Sequence, residues 1–491
     1  MRKHFRRLRR GLILAAVVTT LVSCVTTGAM APATGPQADH SRKGIEKTAL
    51  DEYVYTPDPV YAYELVNTQR AEGVTVYTLK MTSQEWLTEN EVDRTVWWHW
   101  LNIARPDTVS SDTALLFIGG GANRDEDKPR SGEGRVMEVA KVTNSVVAEL
   151  GMVPNQPLFF TGEQVDEYKE EGRYEDALIA YGWDKFRTTQ DPIWLARLPM
   201  TKSAVRAMDT ITDFLASADA PADVTKFVVA GGSKRGWTTW TTGAVDDRVV
   251  AIAPIVIDLL NLVPSFVHHY GAYGFWAPAI GDYQDMGIME WMFSNEASAM
   301  RDINDPYSYL DRYDIPKFII NATGDQFFLP DSSQFYWDDL PDEKYIRYVP
   351  NAGHGLDDTD AMESLVAFYA SVLYGEKRPK FDWSFQDDGS IRVETATKPA
   401  EVLLWHATNP VARDFRFDLK DPEVRYSSAP LEDQGGGVYV GNVPEPAQGY
   451  TAYFVELTFP SEGPAPYKFT SGVRVSPDVL PFAAEAEKLK K

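Results

Sequence analysis

From about residue 74 onward, short apolar runs rich in β-branched and aromatic residues alternate with longer stretches whose apolar residues recur at helical spacing. That rhythm predicts a mostly parallel sheet whose strands are joined by crossing helices. GVTVYTLKM and TVWWHWLNIARP read as strands, and TALLFIGGG reads as a buried strand that ends in glycines. EVAKVTNSVVAEL carries apolar residues at helical spacing, QPLFF reads as a short strand, and TKSAVRAMDTITDFLAS as an amphipathic helix. Four further strands follow in KFVVAGGS, VVAIAPIVI, PKFIINATGD and KYIRYVPNAGH, each stopping at a turn-prone or polar residue. Such endings point to a functional face, because open α/β sheets bind ligands beyond the carboxyl ends of their strands.

Two regions break the rhythm. Residues 258–311 are long, aromatic and punctuated by Gly and Pro, so they read as a lid inserted between strands. After the helical TDAMESLVAFYASVLYGEKRP the period changes to two, in SIRVETA, EVLLWHAT, FRFDL, GVYVGNV, YTAYFVELTF and YKFTSGVRV. Turn residues between these runs predict a small β-sandwich. The expected fold class is therefore α/β: a mostly parallel sheet with helices on both faces and an inserted lid. The α/β domain is expected over residues 51–378, a C-terminal β-sandwich over 379–478 and a polar tail over 479–491.

The start of the chain has a different character. MRKHFRRLRR followed by GLILAAVVTTLVSC has the basic and apolar regions of a secretory signal. It ends in Leu21-Val22-Ser23-Cys24, which resembles a bacterial lipobox, and Cys24 is the only cysteine of the 491 residues. A single thiol forms no intramolecular disulfide, so a signal over 1–24, lipidation at Cys24 and a tether over 25–50 are expected. This places the protein in the bacterial cell envelope, on the periplasmic side, held to a membrane by its lipid. The formal net charge is −23, and the part beyond the signal is six charges more negative. Such a surface repels phosphate backbones and argues against nucleic-acid binding. It favours cationic partners, and Asp282, Asp285 and Glu290 of the lid would draw in cationic peptides.

The chemistry centres on VVAGGSKRGWTTW at residues 228–240, where an apolar strand gives way to a helix-compatible run. A serine hydroxyl is a weak nucleophile unless a base takes its proton and donors hold the oxyanion it creates. A sharp strand-to-helix turn lifts the hydroxyl above the sheet, and small residues before it allow the bend. Ser233 follows Gly231 and Gly232 in this way, resembling the nucleophile elbow G-x-S-x-G. Arg235 stands where the last glycine should be, and Gly236 comes one step late. A glycine turn in which Ser233 merely caps the helix is the structural alternative.

Among seven histidines, His354 in VPNAGHGLDD follows a strand and is flanked by glycines, which suits a catalytic base. His99 lies inside an aromatic strand and reads as a packed histidine. His268 and His269 fall in the lid, where they are substrate-binding candidates with Arg235 and Trp237. The orienting acid should follow a strand between serine and histidine in the chain. Asp325 in NATGDQFFLPD does so, with Asp331 as the runner-up and a helix cap in its own right. The amide of Lys234 and those of Gly120 or Gly121 in LLFIGGGANR are the oxyanion donors expected. Lys234 and Arg235 are alternatively ion-pair partners of acids such as Asp246 and Asp258. Neither a metal-binding pattern nor a cofactor fingerprint occurs, so no metal and no cofactor are expected.

Taken together, TSQEWLT, WWHWLNIARP, LLFIGGGANR, RLPMTKSAVRAMDT, GGSKRGWTTWTTGAVDDRV, NATGDQFFLPDSS and PNAGHGL resemble the PhoPQ-activated pathogenicity-related proteins, a bacterial envelope group. The likeness continues in VLLWHATNPVARDFR, YTAYFVEL and KFTSGVRVSPDVLP, and runs from about residue 50 to 481. The resemblance implies an α/β-hydrolase-like domain with a C-terminal β-domain and a link to virulence and to tolerance of host antimicrobial peptides. It is compatible with a serine hydrolase that cuts peptides or esters through Ser233, Asp325 and His354. The elbow is also similar to G-C-S-R-x-G-K of glucuronoyl esterases, with Gly232 in place of the cysteine and Trp237 in place of the lysine. A non-catalytic binding lipoprotein on a hydrolase scaffold is the rival from another class.

Overall fold

The apolar runs of the first 350 residues pair into one sheet, seen in a computed structural model that describes residues 33–71, 73–124, 133–219, 221–417 and 424–490. The signal, Cys24 and the first part of the tether lie outside the described residues. Among the described residues, no helix is long and apolar enough to cross a membrane.

The sheet has nine strands. They are β1 (Ala62–Ala71), β2 (Val74–Glu85), β3 (Val96–Pro106), β4 (Thr113–Ile118), β5 (Val147–Leu150), β6 (Lys226–Gly232), β7 (Val249–Ile255), β8 (Lys317–Ala322) and β9 (Lys344–Val349). Their order is β1-β2-β3-β5-β4-β6-β7-β8-β9. The first strands pair antiparallel, and every pair from β5 to β9 is parallel. A parallel pair needs a crossover, and longer helices supply those between β4 and β8: α1 (Glu133–Thr143), α2 (Glu175–Thr189), α3 (Arg197–Ser217), α4 (Lys234–Val245) and α5 (Leu262–Tyr273). The β8–β9 crossover contains only the short turn Ser332–Phe335, and α6 (Ala361–Tyr374) follows β9. A mixed, mostly parallel sheet between helices is the α/β-hydrolase-like architecture anticipated.

Central strands are buried along their length: β8 is buried at every position, and β4 and β7 at all but one. This is why they read as continuous apolar runs. Helix α4 is equally enclosed although its sequence, WTTWTT, is rich in β-branched residues. Its threonine hydroxyls satisfy themselves inside the helix, Thr238 on the Lys234 carbonyl at 3.0 Å, Thr239 on Arg235 at 2.9 Å and Thr242 on Thr238 at 2.7 Å. A buried hydroxyl without such a partner would cost on the order of 1–3 kcal/mol.

Local pattern misled in two places. EVAKVTNSVVAEL is not one helix: α1 stops at Thr143, Asn144 turns with φ +48°, and Val147–Leu150 forms β5 between β3 and β4. A valine-rich run fits the pleated gap between two strands better than a helix surface. QPLFF is not a strand either, because Pro157 lacks an amide hydrogen for a ladder and only isolated bridges form, Ala122 with Gln156, Leu158 with Arg173 and Val92 with Phe160.

Between β7 and β8 the chain runs through α5 and then a series of short helices as far as Arg312. Beyond α6 two antiparallel sheets are added. One contains β10 (Phe381–Phe385), β11 (Ile391–Thr395) and β14 (Val438–Gly441). The other contains β12 (Glu401–Asn409), β13 (Ser427–Pro430), β15 (Tyr450–Phe459), β16 (Tyr467–Thr470) and β17 (Arg474–Ser476). Ile391 and Val393 of the first share one apolar cluster with Leu404, Val455 and Leu457 of the second, and with Phe318 of β8 and Phe368 of α6. The appended sheets are thus packed onto the strands that carry the candidate acid and histidine.

Candidate active site

The loops beyond β4, β6, β8 and β9 hold Gly120, Ser233, Asp325 and His354 at one edge of the sheet. Ser233 stands between β6 and α4 with φ +59° and ψ −125°, a conformation that costs a non-glycine residue roughly 1–3 kcal/mol. The turn is held by its own backbone: the Ser233 amide donates to the Ile255 carbonyl at 2.8 Å, and its carbonyl accepts from the Trp237 amide at 3.0 Å. The side chain makes no capping hydrogen bond. A helix cap is therefore not what this serine provides.

The glycines around it explain the displaced motif. A Cβ on Gly231 would lie 2.8 Å from the Arg235 carbonyl oxygen. One on Gly236 would lie 2.9 Å from the carbonyl oxygens of both Gly231 and Ile255. The position that must approach the strands is Gly236, and this leaves its neighbour free to carry the large side chain of Arg235.

His354 follows β9, and its Nδ1 lies 2.7 Å from Oδ2 of Asp325. The other carboxylate oxygen, Oδ1, accepts from the Phe327 amide at 2.7 Å, so both oxygens of the buried Asp325 are engaged. With a carboxylate at Nδ1, the hydrogen sits on that nitrogen and Nε2 is left as the basic one. The imidazole is braced by Phe327, whose ring centroid is 4.4 Å away, and its backbone amide donates to Gln326 Oε1 at 3.2 Å. Ser233 and His354 front the same cavity of about 420 Å³, together with Gly232, Val256 and Leu356. Ser233 also borders a second, narrow apolar cavity of about 40 Å³, walled by Arg197, Trp237, Leu259, Met289 and Phe328 among others. The hydroxyl stands where the two cavities meet.

Strand pairing sets the glycine loop beside the serine. Ile118 of β4 is in register with Gly231 of β6, so Gly120 and Ser233 lie two residues further along adjacent parallel strands. The Gly119 amide is committed to the Leu150 carbonyl at 2.8 Å, but among the described residues the Gly120 and Gly121 amides find no acceptor. Lys234 opens α4, and first-turn amides have no partner within their own helix. These are the donors anticipated for an oxyanion.

The Lys234 and Arg235 side chains have acidic partners that sequence did not reveal. Lys234 Nζ lies 3.0 Å from Glu175 Oε2 and 3.0 Å from Asp176 Oδ2. Arg235 grips Glu175 with both terminal nitrogens, at 2.7 and 2.5 Å, and its Nε donates to the Val153 carbonyl. Burial alone would raise the Glu175 carboxyl, but the Arg235 bonds and the two cations outweigh it and hold it at about 2. The guanidinium lies so close over Gly120 that a Cβ there would meet Nη2 at 2.5 Å. Arg235 thus ties the glycine loop to α2 and does not reach the cavities. Asp246 pairs with Arg248, and Asp258 accepts hydrogen bonds from Tyr336 and Tyr348, so neither serves the Lys-Arg pair. Burial pushes the Asp258 carboxyl up to about 7.

Of the four substrate-binding candidates, only Trp237 lines a cavity beside the serine. His268 and His269 are corrected to structural roles: both are buried in α5. His268 Nε2 lies 3.0 Å from Asp331, whose Oδ2 also accepts from Arg413 at 2.6 Å. Burial opposes charge on Asp331, yet Arg413 and His268 hold it far below the usual carboxylate range. Asp331 is therefore neither the orienting acid nor a side-chain cap; it anchors the appended sheets through Arg413. The His269 ring accepts from the Ala277 amide at 3.1 Å, and burial lowers it to about 3. His99 is the packed histidine expected, bonded to Ser83 and to the Gly151 carbonyl, and lowered by burial to about 4.

The sequence profile of a family described as "PhoPQ-activated pathogenicity-related protein" matches residues 50–416. Autocrine proliferation repressor protein A of Dictyostelium discoideum is 36% identical over 475 residues, covering 90% of this chain and 93% of that protein. Among solved structures, an acetyl xylan esterase from Paenibacillus sp. R4 superposes with a TM-score of 0.46 at 13% identity, covering 68% of this chain and 98% of its own. A glucuronoyl esterase from Solibacter usitatus gives 0.39 at 14% identity, covering 69% and 90%.

Proposed function

The chain belongs to the PhoPQ-activated pathogenicity-related protein family, and we propose that it is a serine hydrolase that cuts peptide or ester bonds with Ser233, His354 and Asp325. The observation that carries this reading is the 2.7 Å contact between His354 and Asp325, fronting the same cavity as an uncapped serine at positive φ. Ser233 Oγ attacks the substrate carbonyl while His354 Nε2 takes its proton, and Asp325 stabilises the imidazolium that forms. The tetrahedral oxyanion is held by the amides of Lys234 and of Gly120 or Gly121. His354 then protonates the leaving group, water enters from the larger cavity, and a second attack releases the acid and restores the hydroxyl. The basic and apolar start of the chain and Cys24 support placement of this activity in the envelope, on a lipid anchor.

The smaller cavity sets a size limit. At about 40 Å³ it is roughly a tenth of the neighbouring cavity of about 420 Å³, and its apolar walls suit a short acyl chain. Acetyl or propionyl esters are therefore expected to be hydrolysed at least ~10-fold faster than octanoyl esters, since forcing extra methylenes into a packed site costs about 1–3 kcal/mol. Initial rates over a panel of acyl esters and short peptides check this. Equal rates for octanoyl esters would place the acyl group elsewhere, and a folded sample silent on the whole panel would speak against the hydrolase reading.

A further inference from the structure

We propose that the apolar cavity beside Ser233 contains a recognition site for a carboxylate, with Arg197 as its cation, so that the substrate carries a negative charge a few atoms from the scissile carbonyl. The proposal deepens the serine-hydrolase reading, and rests on it for the word substrate. The anion site itself stands on separate observations.

Arg197 opens α3, is 3% exposed and lines the cavity that Ser233 and Trp237 border. One terminal nitrogen donates to the Lys234 carbonyl at 2.8 Å, and the guanidinium lies 4.5 Å over the Trp237 ring. Its Nε is buried with no hydrogen-bond partner. Among the described residues it forms no ion pair, and of the other buried arginines only Arg105, which lies in β3 and lines neither cavity beside Ser233, shares this. Arg173, Arg206, Arg248, Arg312, Arg347 and Arg413 each hold a carboxylate, on Glu163, Asp209, Asp246, Asp51, Asp360 and Asp331 in turn.

The neighbouring acids are already spent. Glu175 and Asp176 neutralise Arg235 and Lys234, and Asp176 also accepts from the Tyr283 hydroxyl at 3.0 Å. Three cations thus face two carboxylates, leaving one positive charge in surplus at the cavity of a protein whose net charge is −23. Burial lowers Arg197 only to about 10, so the group stays cationic at neutral pH. An uncompensated buried charge is expensive, and natural structures pair it. A planar guanidinium in an apolar wall suits one ligand chemistry above others, a carboxylate taken in parallel hydrogen bonds. The remaining wall, with Leu259, Phe266, Ile280, Met289, Met292 and Phe328, suits a short aliphatic stem, and the methionines can adjust to its length.

Succinate and the neutral butyramide, which share a short stem and differ in that only the first carries a carboxylate, are the probes. Calorimetry on Ser233→Ala protein should show saturable succinate binding, at least about 10-fold tighter than butyramide, as expected for a hydrogen bond to a charged group. Adding Arg197→Met should erase that difference, and Arg197→Lys should restore part of it. With active enzyme, kcat/KM for monomethyl succinate should exceed that for methyl butyrate, and Arg197→Met should lower the first at least about 10-fold more than the second. Absence of saturable succinate binding would overturn the proposal. So would an equal fall for both esters in Arg197→Met, which would make Arg197 only a brace for the Lys234 carbonyl. If succinate binds through Arg197 but neither ester is cleaved, the anion site stands and the hydrolase reading falls.

Discussion

Ser233→Ala should lower kcat by about 10⁶-fold on any ester that the wild type cleaves, the scale seen when a serine-protease nucleophile is removed. The folded state should be almost untouched. The hydroxyl caps no helix amide, so no hydrogen bond to the fold is lost with it. Alanine at φ +59° bears the same backbone strain as serine, and the amide bond to Ile255 remains. Residual catalysis of about 10³-fold over water should survive, because the amide donors and the binding cavity persist. Steady-state kinetics beside a thermal melt check both halves. A variant that keeps more than about 1% of the activity would exclude Ser233 as nucleophile, since loss of a nucleophile costs far more than a hundredfold.

Asp325→Asn should cost about 10⁴-fold in kcat, with Tm again within a few degrees. The two oxygens of Asp325 have separate duties. Oδ1 accepts from the Phe327 amide and shapes the loop, while Oδ2 accepts from His354 Nδ1. Asparagine can keep the first contact through its carbonyl. Its NH₂ then faces Nδ1, which forces the imidazole hydrogen onto Nε2 and leaves no base toward the serine. A stable protein with slow chemistry is the signature of a wrong tautomer. A drop of less than about tenfold would assign the orienting role to another group, since the tautomer effect is far larger.

The site was legible where chemistry follows directly from chain order. Ser233, Asp325 and His354 each come just after an apolar strand, and parallel strands bring their carboxyl ends to one edge whatever the crossovers contain. The late Gly236 looked like a defect in the motif until the helix–strand approach showed which residue must lack a Cβ. What stayed hidden was long-range electrostatics. Arg235 meets Glu175 from 60 positions away, and Arg413 meets Asp331 from 82. No local pattern encodes such pairs, so His268 looked free to bind substrate when it was held by Asp331. Strand β1 was missed because it is a half-exposed edge strand whose polar Glu64, Asn67, Gln69 and Arg70 give no apolar alternation. Overall acidity suggested cationic peptides, with Asp282 among the attracting groups; Asp282 accepts from the Tyr168 hydroxyl, and Arg197 lines the cavity beside Ser233. Net charge describes the surface, and a buried site a few ångströms across is set by its own count of charges.

The central claim is that Ser233 is a nucleophile activated by His354 and Asp325. Labelling the folded protein with a fluorophosphonate and mapping the adduct by mass spectrometry tests it most directly. The expected result is one adduct on Ser233, absent after Ser233→Ala and formed much more slowly after His354→Ala. A folded wild type that takes no label, or takes it on another residue, would contradict it.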